Sequence, residues 1–129
     1  MTGIEMYREH ILEHYKSPQN YGTLDTPDIQ YREDNPLCGD DIEIHIRLED
    51  DRIADIRFHG QGCAISQASA SLLTDAVKGK SLDEIKAMDN ETVMKLLGIP
   101  ISPVRLKCAL LSLVVIQGGI KVHETGGRP

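Results

Sequence analysis

Hydrophobic and polar residues alternate along the centre of the chain. Isoleucine and leucine occupy every second position from Ile42 to Leu48, and charged residues and a histidine fill the positions between them. Such alternation predicts a strand with one buried face. An acidic turn at residues 49–52 leads into a second predicted strand over residues 53–59, and an earlier strand is predicted over residues 29–33. The three segments together predict a short antiparallel sheet.

Helical spacing replaces this alternation on both sides of the strands. A first helix is predicted up to Ser17-Pro18, with a stripe at Ile4, Tyr7, Ile11, Leu12 and Tyr15. Residues 65–78 predict a second helix, with Gly79 placed where a helix C-terminus needs a glycine.

Three further helices are predicted in the last third of the chain. Ser81 and Glu84 have the spacing of a capping box and open a short helix, and residues 90–97 form another. Ser102-Pro103 opens a last helix that is predicted to end near Gln117. Strands followed by helices predict an α+β fold: a small three-stranded antiparallel sheet with helices packed on one face and a long C-terminal helix. No linker or repeat divides residues 1–129, so a single domain is predicted.

Composition excludes several classes of function. The 129 residues include no Trp. The chain has a net charge of -6 at pH 7 and no basic stripe that would bind a nucleic acid backbone. The longest apolar run, residues 109–116, is far shorter than the ~20 residues of a membrane span. The N-terminal segment lacks the basic-then-apolar layout of a signal peptide. We therefore expect a cytoplasmic protein without a nucleic acid or membrane partner.

The three cysteines lie at predicted element boundaries. Cys38 lies in the turn before the central strand, Cys63 follows the glycine-flanked end of the next strand, and Cys108 lies early in the last helix. An odd number fits a disulfide framework poorly, and free thiols in a reducing compartment favour metal binding or sulfur chemistry. A helix N-terminus stabilises a thiolate, which favours Cys63. The alternative is that all three are small buried hydrophobic residues.

Three thiolates and a carboxylate are a complete ligand set for zinc, or for iron bridged by sulfide. In Cys38-Gly39-Asp40 the ligand atoms converge if the glycine lets the chain fold back, so Asp40 is predicted to complete a shell with Cys63 and Cys108. The alternative for Asp40 is a solvated turn residue. No Cys-x-x-Cys pair supports the metal hypothesis.

Two of the five histidines match a different metal pattern. His10 and His14 share a helix face in the H-x-x-E-H spacing of an inverted zinc peptidase, although surface histidines are the default interpretation. His45 falls on the polar phase of its strand. His59, beside the Gly60 bend, is the one histidine expected to approach the cysteines.

Five segments along nearly the whole chain resemble the NifU/IscU/SufU-type iron–sulfur cluster assembly proteins. They are YKSPQN at 15–20, NPLCGD at 35–40, GQGCAIS at 60–66, VKGKS at 77–81 and PVRLKC at 103–108. The resemblance implies a small antiparallel sheet with helices on one face. It also implies that Cys38, Asp40, Cys63 and Cys108 cluster at an exposed tip and bind zinc or a transient [2Fe–2S] cluster. The implied partners are a PLP-dependent cysteine desulfurase, which supplies sulfur, and apo-proteins that receive clusters.

Three departures leave the branch of the family open. IscU-type members carry a histidine where this chain has Lys107, and an ammonium group has no lone pair for a metal. SufU-type members carry an insertion between the second and third cysteines that is missing here. The chaperone-recognition stretch of IscU-type members matches residues 101–105 only in part, so a dedicated Hsp70-type partner is not predicted.

The leading hypothesis is a cluster assembly protein that accepts persulfide sulfur and builds a [2Fe–2S] cluster on the three cysteines and Asp40. The SufU-type resemblance points to Cys38 as the sulfur acceptor, and the IscU-type resemblance points to Cys108. Either way the chain is a scaffold or sulfur acceptor rather than a conventional enzyme. The alternatives are a SufU-type, zinc-dependent sulfurtransferase and a zinc-stabilised interaction module without sulfur chemistry.

Overall fold

The structure is a computed structural model that describes residues 3–35 and 39–126, with side chains described from residue 8 onward. Its elements in chain order are α1 (Gly3–Lys16), β1 (Ile29–Asn35), β2 (Asp40–Glu49), β3 (Arg52–Gln61), α2 (Ala64–Val77), α3 (Leu82–Lys86), α4 (Asn90–Leu97) and α5 (Pro103–Glu124). This arrangement confirms the predicted α+β fold with a long C-terminal helix.

The sheet is an antiparallel meander with the strand order β1-β2-β3. Ile44 in the central strand pairs with Tyr31 on one side and with Phe58 on the other. The β2–β3 connection contains two residues, Asp50 and Asp51, with φ values of 53° and 59°. Positive φ at both central residues is the geometry of a type I′ hairpin turn, which matches the twist of the flanking strands.

The helices cover one face of the sheet. The alternating isoleucines of β2 are fully buried on that face, as the hydrophobic pattern predicts. Helix α5 packs against β1, β2 and α2, whereas α2 packs against β3 and α1. The core is therefore built mainly from aliphatic side chains of β2, β3, α2 and α5, and Phe58 is the one large ring among the described residues that are fully buried there.

Helix α5 continues beyond its predicted end near Gln117 and runs to Glu124. The predicted end was wrong because the helix continues through Gly118 and Gly119, which directly follow Gln117. Both glycines instead lie where α5 crosses β1. A Cβ atom on Gly119 would lie 3.0 Å from Ile29 Cγ2 and 3.1 Å from Tyr31 Cβ.

The neighbouring Gly118 shows the same crowding, since a Cβ atom there would lie 2.7 Å from Tyr31 Cε2. The glycine pair thus lets the helix backbone approach the sheet closely. The close packing compensates for the low helix propensity of glycine.

By length and composition α5 could also cross a membrane, with a mean hydropathy of 1.4 over an 18-residue window. However, 50% of that window is buried inside the protein, against β1, β2 and α2. These contacts are those of a core helix.

The first helix is held to α2 by one hydrogen bond from its last turn. Nδ1 of His14 lies 2.6 Å from the Ser71 hydroxyl oxygen. Ile11 is buried at this contact, whereas Leu12 and Tyr15, which belonged to the predicted apolar stripe, are exposed. Among the side chains that the structure describes, the buried face of α1 is therefore narrower than the sequence pattern predicts; Ile4 and Tyr7 of the predicted stripe lie outside them.

We expect Gly119→Val to lower the free energy of unfolding by about 1–3 kcal/mol, because the added side chain overpacks the α5–β1 contact. Lys121→Val, at an exposed position of the same helix, is the matched control. It carries only the helix-propensity cost of valine, up to about 0.7 kcal/mol. Urea denaturation measures both changes, and equal losses in the two variants would contradict the packing argument.

Stability is also expected to depend on pH through His14. Burial lowers the pKa of His14 from 6.5, and the nearby His10 lowers it further, although Asp75 and Glu13 oppose this. As the pH is lowered, His14 is then protonated at a higher pH in the unfolded chain than in the folded chain. Stability from this group is present above the unfolded pKa and is lost as pH falls through the folded pKa.

The urea concentration at the unfolding midpoint of the wild type should therefore decrease when the pH is lowered from about 7.5 to about 5.5, and His14→Gln should make that decrease smaller. The same pH slope in both proteins would exclude His14 as the cause.

Candidate metal centre

Three elements converge at one end of the sheet. Asp40 is the first residue of β2, and the pairing of Asp41 with Gln61 brings the end of β3 beside it. Cys63 follows as the N-cap residue of α2. Cys108 lies in the second turn of α5, which packs against α2. The fold thus brings together residues that are widely separated along the chain.

The structure places three of the four predicted ligands in one group. A carboxylate oxygen of Asp40 and the sulfur atoms of Cys63 and Cys108 all lie within 4.8 Å of one another. Cys63 donates its backbone N–H to Asp40 Oδ1 over 3.0 Å, and its sulfur lies 3.9 Å from Asp40 Oδ2. One carboxylate oxygen is therefore held by the backbone, and the other faces the thiol.

Glycine residues make room for this carboxylate. A Cβ atom on Gly62 would lie 2.5 Å from both Asp40 Oδ1 and the Ser66 hydroxyl oxygen. At Gly60 the φ angle is +145°, and a Cβ atom would lie 2.1 Å from the Asp41 carbonyl oxygen. Only glycine fits at these two positions without displacing the strand end or the carboxylate.

Asp40 is almost completely buried, with 1% of its surface exposed, so it is not the solvated turn residue considered as an alternative. Cys108 is 2% exposed, whereas Cys63 is partly exposed. A surface cavity of about 340 Å³ is lined by both cysteines together with Val104 and Arg105. The two cysteines therefore border an open cavity, whereas Asp40 and Cys108 are more buried than the exposed tip expected from the sequence.

The remaining predicted residues have different positions. Cys38 lies outside the described residues, and its neighbour Gly39 donates its N–H to the Asn35 carbonyl oxygen over 2.9 Å. Lys107 is exposed on the first turns of α5. His59 does not join the cysteines, because it contacts Glu43 on the next strand at 3.0 Å.

The sequence pattern failed for one further histidine. His45 was assigned to the polar, solvent-facing phase of β2, yet it is buried, with Nδ1 accepting the Leu24 N–H over 3.1 Å. The segment between α1 and β1 covers this part of the sheet. His10 and His14 lie with ring centroids 4.5 Å apart, but within the described side chains neither belongs to a group of three metal ligands.

The donor set fits zinc or an iron–sulfur cluster. Ligand atoms around a tetrahedral zinc ion lie about 3.3–3.8 Å apart, given metal–ligand bonds of about 2.0–2.3 Å. The 3.9 Å between the Cys63 sulfur and Asp40 Oδ2 is close to this spacing. Two thiolates and one carboxylate leave one position of a four-ligand shell for another donor. Mixed sulfur and oxygen ligation also suits a metal ion or cluster that is bound reversibly.

Comparison with known proteins gives a consistent set of similarities. The family model of the NifU-like N-terminal domain matches residues 6–126. The chain is 36% identical to the zinc-dependent sulfurtransferase SufU of Bacillus subtilis, over 94% of this chain and 93% of SufU. It is 37% identical to the iron–sulfur cluster assembly scaffold protein IscU of Escherichia coli, over 92% of this chain and 94% of IscU.

A solved structure shares both the fold and part of the sequence. It belongs to a protein proposed as an iron–sulfur cluster assembly scaffold for the SUF system of Fervidobacterium islandicum. The TM-score is 0.78 at 25% identity, with 87% of this chain and 94% of that chain covered.

We expect Gly62→Ala to weaken zinc binding by about 10- to 100-fold, the usual effect of disturbing groups that orient a metal ligand. The methyl group would displace the Asp40 carboxylate from the Cys63 N–H. Gln61→Ala, at the exposed neighbouring position, is the control and should bind zinc as the wild type does. Competition with a zinc chelator measures the affinities, and an unchanged affinity for Gly62→Ala would contradict this role of Asp40.

Proposed function

We propose, from the premise that the chain belongs to the NifU-like N-terminal domain family, that it acts in iron–sulfur cluster assembly as a sulfur acceptor and cluster scaffold. The observation that carries this proposal is the group of Asp40, Cys63 and Cys108 within 4.8 Å, with both cysteines lining an open cavity. Relatives named for cluster assembly and for zinc-dependent sulfur transfer support it.

Cys38 is the proposed fourth ligand. It comes two positions before Asp40 in the sequence, and Asp40 lies at the end of the sheet where the described ligands meet. With Cys38, the set comprises three thiolates and one carboxylate, which would hold either zinc or a [2Fe–2S] cluster. Bound zinc would keep the thiolates deprotonated, and a transient cluster would be the cargo of the same residues.

Sulfur transfer requires only residues of this chain and a persulfide donor. A thiolate of the chain attacks the outer sulfur of a persulfide on a PLP-dependent cysteine desulfurase. A new S–S bond forms on the acceptor, the S–S bond of the donor breaks, and the donor cysteine leaves as a thiolate. The sulfur passes on at the persulfide oxidation level, so the step needs no external oxidant.

Burial argues against Cys108, one of the two acceptors that the sequence leaves open. Cys108 has 2% of its surface exposed, so a bulky persulfide donor would reach it only after the start of α5 moves. Cys38, at the loop before Asp40, is the acceptor that we propose. Release of the carboxylate from the metal would free a coordination position, since oxygen donors exchange more readily than thiolates.

The two family branches predict different end states for this same site. As a scaffold, the chain would retain an assembled cluster and pass it to apo-proteins. As a SufU-type protein it would retain zinc and pass on sulfur alone. Asp40 argues against the third hypothesis, a purely structural zinc module, because structural zinc sites are mostly closed shells of cysteine and histidine. A cytoplasmic location is part of the proposal, since the thiols must stay reduced.

Anaerobic incubation with a cysteine desulfurase and cysteine, followed by ferrous iron and a thiol reductant that reduces the persulfide sulfur to sulfide, tests the proposal. We expect the mass of the chain to rise by one sulfur atom on Cys38, followed by the visible absorption of a [2Fe–2S] cluster. Asp40→Ala should make the cluster persist longer, because an exchangeable oxygen ligand has been removed. Ser66→Ala, beside the site but without a ligand atom, is the control.

Three outcomes decide between the hypotheses. Sulfur on the chain with zinc retained and no cluster would support the SufU-type alternative. Sulfur on Cys108 with none on Cys38 would overturn the proposed acceptor. Neither persulfide nor cluster formation, with zinc bound and the fold intact, would leave the structural zinc module as the function.

A further inference from the structure

We propose that Glu43, His45 and His59 form a second metal site, which takes a divalent transition-metal ion. One carboxylate oxygen and one nitrogen from each ring lie within 4.8 Å of one another. Glu43 and His59 are paired across β2 and β3, and His45 is two residues further along β2. The three side chains therefore share one face of a rigid two-strand ladder, where successive residues alternate between faces.

Both imidazole rings converge on the same carboxylate oxygen. Nε2 of His45 lies 2.8 Å from Glu43 Oε2, and Nε2 of His59 lies 3.0 Å from it. The two ring centroids are 5.6 Å apart, and the interplanar angle is 75°. A metal ion that takes the place of the protons in these two hydrogen bonds would need two ring nitrogens and a carboxylate oxygen directed at one point, as they are here.

The hydrogen bonds also define the carboxylate as ionised. The side-chain hydrogen bond from His45 lowers the pKa of Glu43 below 4.5, and hydrogen bonds from His59 and Gln30 lower it further. An ionised carboxylate is the form that binds a cation.

The outer nitrogen of His45 lies near both a backbone N–H and a backbone carbonyl oxygen. Its Nδ1 lies 3.1 Å from the Leu24 amide nitrogen and 3.4 Å from the Leu24 carbonyl oxygen. Without a metal, Nδ1 accepts the Leu24 N–H, and the ring proton is on Nε2. With a metal on Nε2, the proton moves to Nδ1 and is directed to the Leu24 carbonyl oxygen. Metal-ligating histidines commonly donate their other N–H to a backbone carbonyl in this way.

The exposure of the three side chains provides an entry route. His45 is 8% exposed, Glu43 is 21% exposed and His59 is 37% exposed. The inner ligand is thus already fixed and desolvated, while the outer ligand can move to admit an ion.

The proposed site is separate from the cysteine site. Ile42, Ile44 and Ile46 face the helices, so Glu43 and His45, which alternate with them, lie on the opposite face of the sheet from Asp40. A metal at one site therefore does not share a ligand with a metal at the other.

The ligand set selects a class of metal. Two imidazoles and one carboxylate, with further positions open to water, suit zinc, cobalt, nickel or ferrous iron. Magnesium and calcium prefer oxygen ligands and are not expected. The ion would tie the covering segment at Leu24 to β2 through His45.

Cobalt(II) titration of untagged, metal-free protein under reducing, anaerobic conditions tests the proposal. We expect two equivalents per chain. One should show thiolate-to-cobalt charge-transfer bands in the near ultraviolet, and the other should show only visible d–d bands. His59→Gln, which keeps a hydrogen-bond donor near Glu43, should lose only the second equivalent, with an affinity reduced at least about tenfold.

The control variant is His10→Gln, which breaks up the pair of His10 and His14 on α1 and should retain both equivalents. Glu43→Gln is the second test variant, and each fold is checked by far-ultraviolet circular dichroism. A single equivalent in the wild type that shows thiolate charge-transfer bands would overturn the proposal, as would a second equivalent that survives in His59→Gln and Glu43→Gln. Loss of the second equivalent in His10→Gln would assign it to α1 instead.

Discussion

Asp40 Oδ1 accepts the backbone N–H of Cys63 over 3.0 Å, and this hydrogen bond joins the start of β2 to the start of α2. The carboxylate is buried, so the N–H compensates part of its desolvation and fixes its orientation. The second oxygen then faces the Cys63 sulfur at 3.9 Å. The relative positions of an oxygen donor and a sulfur donor therefore follow from one hydrogen bond between secondary-structure elements.

The rest of the fold supports this contact from two sides. Gly60 and Gly62 leave the space that the strand end and the carboxylate occupy. Helix α5 brings Cys108 to the same place, and it can do so because Gly118 and Gly119 let it pack closely on β1. A rigid sheet with a helix start and a helix turn at one end can hold three donors ready before any metal binds.

Local sequence patterns predicted the helices and strands better than they predicted the tertiary contacts of those elements. The alternation from Ile42 to Leu48 predicted β2 and its buried face, because period two depends only on the strand itself. The length of α5 was missed because the packing of Gly118 and Gly119 on β1 is a tertiary contact. The burial of His45 was missed for the same reason, since it depends on the covering segment at Leu24.

The grouping of the metal donors was only partly accessible from sequence. The boundary positions of the cysteines and the glycine beside Asp40 suggested convergence, and the family resemblance specified the set. The cluster of Glu43 and His59 had a detectable signal, since they are opposite each other in the predicted hairpin. Assigning it required the strand register, which the sequence pattern alone does not define.

An anomalous-scattering map at the zinc edge, from crystals of zinc-loaded protein, tests the central claim most directly. The account predicts a zinc ion bonded to Asp40 Oδ2, Cys63 Sγ and Cys108 Sγ at about 2.0–2.3 Å, with Asp40 Oδ1 still on the Cys63 N–H. A zinc ion at the cysteines without a bond to Asp40, or no zinc at this end of the sheet, would contradict it.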